Sequence, residues 1–340
     1  MRPVNLHAMQ ESLSTKHLLE RYARSKTGRP AMVRALRFCM RARWQGELHQ
    51  HWFALIDRPE LKVAREAGTG LCARLQHPYI TAQLTAQQRF NLLRKHFELM
   101  CRFPQPVRDL IYSRDGLVLA MFEEGGIRHS VKLIHQPGTE REGDLSLVWD
   151  CSLGRVAMAT FALLNSRRGF RALVVGGVQG SNAGDAHAMY QVLTRTLHGL
   201  RPISALVHFL QLAAARLGVE TVFGVEDAAH AMYRPGRRVS DKKTLSYDAI
   251  WSEHEGVRWE YGLYRLPVRS TPRDLAEVAS KKRSMYRKRY AMLERVDALM
   301  AEALDWAENL PRPRIEEAWV PVPRHQVFNP GDIKGIDAFA

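Results

Sequence analysis

The sequence has few cysteines, and none of them lies at a spacing that binds metal or forms a redox pair. It contains no CxxC pair and no HExxH motif, and His49 and His51, two residues apart, would not share one face of a helix. We therefore predict no metal site, no disulfide framework and a reducing compartment. The cysteines are Cys39, Cys72, Cys101 and Cys151.

Long uncharged apolar runs are also missing. No window of about 18 residues is apolar enough to span a bilayer. The N-terminal segment MRPVNLHAMQESLSTKHLLERYARSK lacks the apolar centre of a secretory signal. The GxSxG and P-loop motifs are absent as well, which removes two common catalytic signatures. The sequence predicts a cytoplasmic protein without a transmembrane span, with or without peripheral contact with the inner membrane.

Charge is the strongest feature of the composition. The 340 residues include 50 Lys and Arg against 35 Asp and Glu, a formal net charge of +15. Such a surplus indicates an anionic partner, which can be nucleic acid, a phosphorylated cofactor or anionic lipid. No helix-turn-helix, zinc-finger or RNP motif accompanies the charge, so we expect no sequence-specific nucleic-acid binding. The hydrophobic share of 46% suffices for one large domain or two smaller ones.

The first third of the chain is predicted to be helical. Apolar residues recur at helical spacing over Met32–Trp52 and again over Thr85–Cys101. In the second segment, Thr85 and Gln88 form a weak capping box, and Pro104 and Pro106 stop the helix. These signals define a helical N-terminal region over residues 1–108.

The pattern changes near Leu110, where short runs rich in Val, Leu, Phe and Trp alternate with Gly-containing or charged turns. This pattern is typical of a meander of antiparallel strands. The predicted strands are Leu117–Phe122, Ser130–Ile134, Leu145–Cys151, Val156–Leu163 and Ala172–Val178.

A helical segment over Asp185–Leu217, interrupted at GLRP, follows the meander and leads into a strand over Glu220–Val225. Residues 228–270 are predicted to be irregular, and residues 273–305 to form a long amphipathic helix. The order predicts an α+β fold, in which a mixed, mostly antiparallel sheet contains a strand–helix–strand unit. The core then spans residues 109–310, and an extended tail spans residues 311–340.

A glycine-containing turn joins the last strand of the meander to the helical segment. The strand ends in GGVQG, whose backbone amides lie where a helix begins, a place that suits a phosphate. The turn resembles the Arg/Gln-x-x-Gly-x-Gly/Ala turn of GNAT acetyltransferases at Gln179 and Gly184, and departs from it at Asn182. The resemblance implies that these amides hold the pyrophosphate of an acyl-CoA. The other interpretation is a tight connection without a ligand. The candidate cofactor-binding residues are Gln179, Gly180, Asn182, Gly184 and Arg201.

Two residues are candidate bases. His198 lies in the HGLRP break of the helical segment, where Gly199 suits a helix end and Pro202 a helix start. Arg201 opposes the dipole of the helix that follows, so we expect it to have a carboxylate or a bound anion as partner. Glu226 ends a strand near a histidine, where a carboxylate suits general base catalysis. The alternatives are a packed or surface histidine and a solvated strand end.

The densest positive charge is the segment SKKRSMYRKRY. Six of the ten residues from Lys281 to Tyr290 are basic, and Tyr286 and Tyr290 would share a helix face. The segment suits nucleic-acid phosphates or a lipid headgroup layer, or it is a solvated helix face. The candidate membrane or anion contacts are Lys281, Lys282, Arg283, Tyr286, Arg287 and Arg289.

Several segments together resemble the VirK/YbjX family of Gram-negative bacteria. They are HPYI with the helix after it, GGVQG, LTRTLHGLRP, LGVETVFGVEDAAH, YDAIW and SKKRSMYRKRYAMLE, from about residue 30 to residue 305. The resemblance implies an association with virulence, the cell envelope and tolerance of cationic antimicrobial peptides. It brings no catalytic residues.

Three functions remain open, and we favour the first. It is an acyltransferase-like protein that binds an acyl-CoA or a similar phosphorylated carrier, with Glu226 or His198 as base and Arg201 near a phosphate. The second is a non-enzymatic envelope accessory factor whose basic helix contacts anionic lipid headgroups or an envelope protein. The third is a nonspecific nucleic-acid binder, which rests on charge alone.

Overall fold

The computed structural model describes residues 15–24, 32–67, 70–165, 171–232 and 245–310. The predicted tail over 311–340 lies outside these residues. No helix in the described ranges is long and apolar enough to cross a bilayer.

Helices lead up to the sheet. The predicted capping box is confirmed, because Thr85 Oγ1 accepts from the amide of Gln88 (3.3 Å) and Gln88 Oε1 accepts from the amide of Thr85 (2.9 Å). The helical spacing over Met32–Trp52 corresponds to two helices, which are separated at Gln45, where φ is −100° and ψ 41°. The helices are α1 (Thr15–Arg24), α2 (Met32–Trp44), α3 (Gly46–Ile56), α4 (Lys62–Glu66), α5 (Ala86–Arg102) and α6 (Gln105–Tyr112).

Within the described ranges, eight strands form one mixed sheet in the order β1-β2-β3-β4-β5-β6-β8-β7. Neighbouring strands are antiparallel except β5 and β6, which are parallel. The predicted α+β fold with a mostly antiparallel mixed sheet is confirmed. The strands are β1 (Leu117–Glu124), β2 (Ile127–Ile134), β3 (Leu145–Cys151), β4 (Gly154–Asn165), β5 (Arg171–Gly180), β6 (Thr221–Val225), β7 (Val257–Trp259) and β8 (Leu263–Leu266).

Two helices connect the parallel strands, since a parallel pair needs a crossover. They are α7 (Ala186–Thr196) and α8 (Pro202–Arg216), and the predicted break lies between them. His198 and Gly199 both have positive φ there, 54° and 74°, and Pro202 is the first residue of α8.

Residues 228–270 were predicted to be irregular, and that prediction is wrong for much of the segment. The described part contains α9 (Tyr247–Glu253) together with β7 and β8. These elements are too short to show a period in the sequence, and tertiary contacts define them. The basic helix, α10 (Ser280–Glu308), begins later than predicted.

The helices and the sheet share one continuous cluster of buried apolar side chains, which extends from Leu18 in α1 to Ala307 in α10. A buried ion pair also ties the N-terminal segment to the sheet. Arg74 donates to Asp144 Oδ1 (2.5 Å) and to the carbonyl of Glu140 (2.8 Å), and Tyr79 donates to Asp144 Oδ2 (2.8 Å). This packing places the N-terminal segment beside the loop between β2 and β3.

Candidate functional site

The parallel strands β5 and β6 separate towards their carboxyl ends. Their pairing runs from Ala172 opposite Thr221 to Val175 opposite Gly224, after which β5 continues to Gly180. Tyr247 of α9 reaches into the gap. Its hydroxyl accepts from the amide of Val178 (3.2 Å) and lies 3.3 Å from the carbonyl of the same residue.

A bulge in β5 lies beside this gap. Thr160 pairs with Gly177 and Phe161 with Val175, so Gly176 is left without a partner in β4. A Cβ added at Gly176 would overlap the backbone of Glu142, and one added at Gly177 would overlap its carboxylate. The consecutive glycines therefore let the loop between β2 and β3 approach the strand closely.

Glu142 is the centre of a half-buried polar cluster. Its Oε1 lies 3.2 Å from His230 Nε2, and its Oε2 accepts from Gln179 Nε2 at 3.0 Å. The side chains of Glu142 and His230 are only 10% and 15% exposed. The ring of Tyr247 lies 5.3 Å from that of His230. Burial and the nearby charge of Glu142 raise the pKa of Tyr247 to about 12, so its hydroxyl keeps its proton at neutral pH.

Three segments hold this cluster in place. The amide of Ala82 donates to the carbonyl of Ala229 (2.7 Å), which fixes the segment before His230 against the N-terminal region. Asp227 accepts from the Ser246 hydroxyl and from the Tyr247 amide, both at 2.8 Å, so the end of β6 caps α9. Asp248 Oδ1 accepts from the Asp227 amide in return (3.0 Å). The mutual capping fixes the position of Tyr247.

A cleft of about 770 Å³ opens beside the cluster, between α7, the start of α8 and α9. Apolar side chains form much of its wall, and basic side chains stand at its surface. The cleft and the cluster both contact the end of β5, because Gln179 binds Glu142 and the amide of Ser181 binds Tyr190, which lines the cleft. The apolar lining includes Ile203, Leu245 and Ile250, and the basic lining consists of His187, Arg195 and Arg201.

The predicted glycine turn lies next to the cleft, but its polar groups are partly used within the chain. Gln179 binds Glu142, as described above. A Cβ at Gly180 would lie 2.7 Å from the Tyr190 hydroxyl, which accepts from the amide of Ser181 (3.0 Å). Asn182 and Gly184 are exposed, and a Cβ at Gly184 would meet open space. Asp185 occupies the N-cap position of α7 without a side-chain capping bond.

Arg201 and Glu226 lie at this end of the sheet. Arg201 lines the cleft and pairs with Glu253 of α9 at 2.6 Å, so its predicted partner is a carboxylate. Glu226 follows β6, and its carboxylate lies 3.8 Å from Arg258.

His198, the other candidate base, lies elsewhere. It is fixed to Glu124 at the end of β1 (2.9 Å), and its carbonyl accepts from Arg289 of α10. Four strands lie between β1 and β6 in the sheet. The structure therefore does not bring His198 and Glu226 to one site.

The basic helix α10 uses part of its predicted contact set within the chain. Arg283 donates to the carbonyl of Val278 (2.9 Å), and Arg289 lies 4.4 Å from the ring centre of Tyr286. The apolar side of α10 is buried in the core, including Met292 and Val296. The exposed members of the set are Lys281, Lys282 and Arg287, together with the neighbouring Lys288.

Sequence reasoning missed Glu142 and Tyr190. Glu142 lies in the turn-like segment QPGTEREGD and belongs to no motif. The signal that pointed to it is the Gly176–Gly177 pair inside a strand, which indicates a close approach by another part of the chain. The sequence around the two glycines does not identify Glu142 as the residue that approaches them. Among the residues placed by the structure, no three His, Cys, Asp or Glu side chains are grouped so as to hold a metal ion.

The described residues thus form an α+β fold in which β5 and β6 are parallel, with a cleft between α7, α8 and α9 and a carboxylate–histidine pair near the end of β5. Residues 28–302 match the family described as "Protein of unknown function (DUF535)". The chain belongs to this family, and the predicted VirK/YbjX membership is confirmed.

Curated relatives show the same relationship. The chain is 33% identical to "Uncharacterized protein YbjX" of Escherichia coli (strain K12) over 264 residues, which cover 76% of this chain and 77% of the relative. It is 35% identical over 150 residues to an "Uncharacterized protein" of Haemophilus influenzae, a match that covers 44% of this chain and 48% of that one.

Proposed function

We propose that the protein is acyltransferase-like and binds an acyl-CoA or a similar phosphorylated carrier in the cleft between α7, α8 and α9. The observation that carries the proposal is that β5 extends past its pairing with β6, and that the cleft and the Glu142 cluster both contact this end of β5. Ligands of sheets with parallel strands commonly bind outside the carboxyl ends of those strands, where the chain connections diverge.

The cleft suits a long ligand that carries phosphates. Its volume lies within the range of small-molecule sites, about 300–1,000 Å³. Apolar walls suit the carrier arm and an acyl chain, and His187 and Arg195 are exposed at the rim for phosphates. The resemblance of the Gln179–Gly184 turn to the GNAT turn supports CoA as the carrier, although the Gln179 side chain binds Glu142.

The cluster offers the two proton transfers that acyl transfer needs. An amine or hydroxyl acceptor attacks the thioester carbonyl, so that a C–N or C–O bond forms and the C–S bond breaks. Glu142 accepts the proton that the acceptor loses, and the hydrogen bond from Gln179 holds its carboxylate in place. Glu142 then gives this proton to the departing thiolate and returns to its carboxylate form.

The test is calorimetric titration of the full chain with acetyl-CoA, longer acyl-CoAs and CoA. Ala249 is exposed and lines the cleft, so Ala249→Trp should fill the cleft and abolish binding. Ala291→Trp, an exposed alanine on α10, is the matched control and should bind like the wild type. Absence of binding to the wild type, or equal binding by both variants, would overturn the proposal.

The base can be tested separately by thiol release in the presence of amine acceptors. Glu142→Gln should lower turnover by about a hundredfold or more with little change in affinity. Glu226→Gln, at the end of the neighbouring strand, should retain turnover. The reverse result would return the role of base to Glu226.

The accessory-factor alternative is supported by the exposed basic side chains at the start of α10, Lys281, Lys282, Arg287 and Lys288. In this alternative the protein acts in the envelope or virulence context that the family resemblance implies, without catalysis. Since the apolar side of α10 is buried, this helix offers anionic headgroups only a charged face.

A further inference from the structure

Helix α2 carries an apolar stripe that faces outward. The stripe consists of Met32, Val33, Leu36, Met40 and Trp44, spaced by three and four residues and therefore on one face of the helix. Met40 is 66% exposed and Trp44 is 89% exposed. An exposed apolar surface of this kind, gathered on one helix, indicates a docking surface.

The opposite side of α2 fastens the helix to the body of the protein. Ala35, Phe38, Cys39 and Ala42 are buried. The Phe38 ring stacks on Tyr22 of α1 with ring centres 4.9 Å apart, and its carbonyl accepts from Gln76 (2.9 Å). The helix is therefore held in place without using the stripe.

Arginines accompany the stripe. Arg34, Arg37 and Arg41 are exposed, and α2 contains no acidic residue. In the part of the chain that the structure describes, no carboxylate forms an ion pair with any of the three. Burial and the charge of Arg41 lower the pKa of Arg89, so another positive charge lies close to this group. Clustered positive charge without an internal counterion favours an external anionic surface.

We propose that α2 is a membrane-docking helix, which inserts its apolar stripe into the interface of an anionic lipid bilayer while its arginines contact the headgroups. The combination of an apolar face, flanking arginines and a terminal Trp is the arrangement with which interfacial helices bind lipid. A second copy of the chain is disfavoured as the occupant, because two such faces would bring their arginines together. The proposal is independent of the acyl-carrier site.

The arrangement differs from that of α10. The basic helix has its apolar side inside the protein, whereas α2 presents apolar and basic side chains to solvent together. Charge alone adsorbs a protein to headgroups, and added apolar burial makes that binding less sensitive to salt. This contrast provides a matched control within the same chain.

The experiment is co-sedimentation of the full chain with vesicles of phosphatidylcholine mixed with phosphatidylglycerol, and with phosphatidylcholine alone. The wild type should bind the mixed vesicles. Arg34→Gln/Arg37→Gln/Arg41→Gln should weaken binding by roughly a hundredfold. The variant Leu36→Ser/Met40→Ser should also lose most of its binding to the mixed vesicles. The matched control, Lys281→Gln/Lys282→Gln/Lys288→Gln, removes the same charge from α10 and should bind nearly as well as the wild type.

A second readout follows insertion itself. Vesicles should shift the tryptophan emission of the wild type to the blue, and Trp44→Phe should remove most of that shift. Absence of binding by the wild type would overturn the proposal. So would an equal loss of vesicle binding in the arginine variant of α2 and the lysine variant of α10. Undiminished binding by Leu36→Ser/Met40→Ser would also overturn it, because the protein would then bind vesicles through charge alone.

Discussion

The hydroxyl of Tyr247 binds both backbone groups of Val178, at the point where β5 extends past its pairing with β6. A buried strand edge without a partner strand leaves amide and carbonyl groups unsatisfied. Tyr247 satisfies that edge, and its ring lies beside that of His230 in the Glu142 cluster. The side chain therefore holds in place the strand end to which Glu142 is bound through Gln179.

Removal of that hydroxyl should reveal the structural role. Tyr247→Phe leaves two polar groups of the buried Val178 without their partner, so the free energy of unfolding should fall by about 2 kcal/mol. Urea unfolding measures this. Tyr286→Phe is the control, because the hydroxyl of Tyr286 has no hydrogen-bond partner among the residues placed by the structure, and only its ring is in contact. Equal losses in both variants would contradict the interpretation.

The glycine pair in β5 should tolerate no side chain. Gly176→Ala places a methyl group against the backbone of Glu142, which cannot rotate away, so we expect a loss of roughly 1–3 kcal/mol in unfolding free energy. Gly184→Ala enters open space and should leave stability unchanged or raise it by up to about 1 kcal/mol. Thermal or urea unfolding of the two variants compares them directly. A tolerated Gly176→Ala would mean that the loop carrying Glu142 does not approach the strand this closely.

The ion pair between Arg74 and Asp144 is buried, with side chains only 3% and 1% exposed. Asp144→Asn leaves the Arg74 charge inside the protein without its counterion, so unfolding free energy should fall by about 3–5 kcal/mol. The exposed pair Arg94–Glu98 is the control, and Glu98→Gln should cost less than about 0.5 kcal/mol. Similar small losses in both variants would show that Arg74 finds another partner or access to water.

The strands of the meander could be predicted because each is a run of β-branched and aromatic residues between clear turns. The last two strands could not, since Val257–Trp259 and Leu263–Leu266 are short and a tight turn joins them. Residues Tyr261 and Gly262 in that turn both have positive φ, 59° and 67°. β8 pairs with β6, and β7 pairs with β8. The pairing of β8 with β6, which attaches both strands to the sheet, is not local in the sequence.

The signals in the sequence mark the neighbourhood of the candidate site but not its internal partners. The GGVQG segment ends β5 beside the cleft that Arg201 lines, and the binding role of these residues stays a prediction. The partner of Gln179 is Glu142, 37 residues away along the chain, and only the folded sheet brings them together. For His198, only the helix break could be recognised from the sequence. Its partner, Glu124 at the end of β1, is distant in the sequence and was not predicted.

The last prediction concerns pH. His208 of α8 and His254 after α9 meet edge to face with ring centres 5.1 Å apart. Burial lowers the pKa of His208 to about 4, and burial, His208 and Arg201 lower the pKa of His254 to about 3. In the unfolded chain these groups return to about 6.5, so below that pH the unfolded chain binds more protons than the folded one. The free energy of unfolding must therefore fall as the pH drops from about 6.5 towards 4.

His254→Phe keeps an aromatic ring in place and removes one of these titrating groups. Between neutral pH and pH 4, the unfolding free energy of the wild type should fall by about 3 kcal/mol more than that of the variant. Some acid sensitivity should remain, because burial also lowers the pKa of His49 and of His129 to about 4. Urea unfolding at a series of pH values measures the difference, with the exposed His187→Phe as control. Identical pH slopes for His254→Phe and the wild type would show that His254 takes up its proton equally in both states, and hence that water reaches its ring in the folded protein.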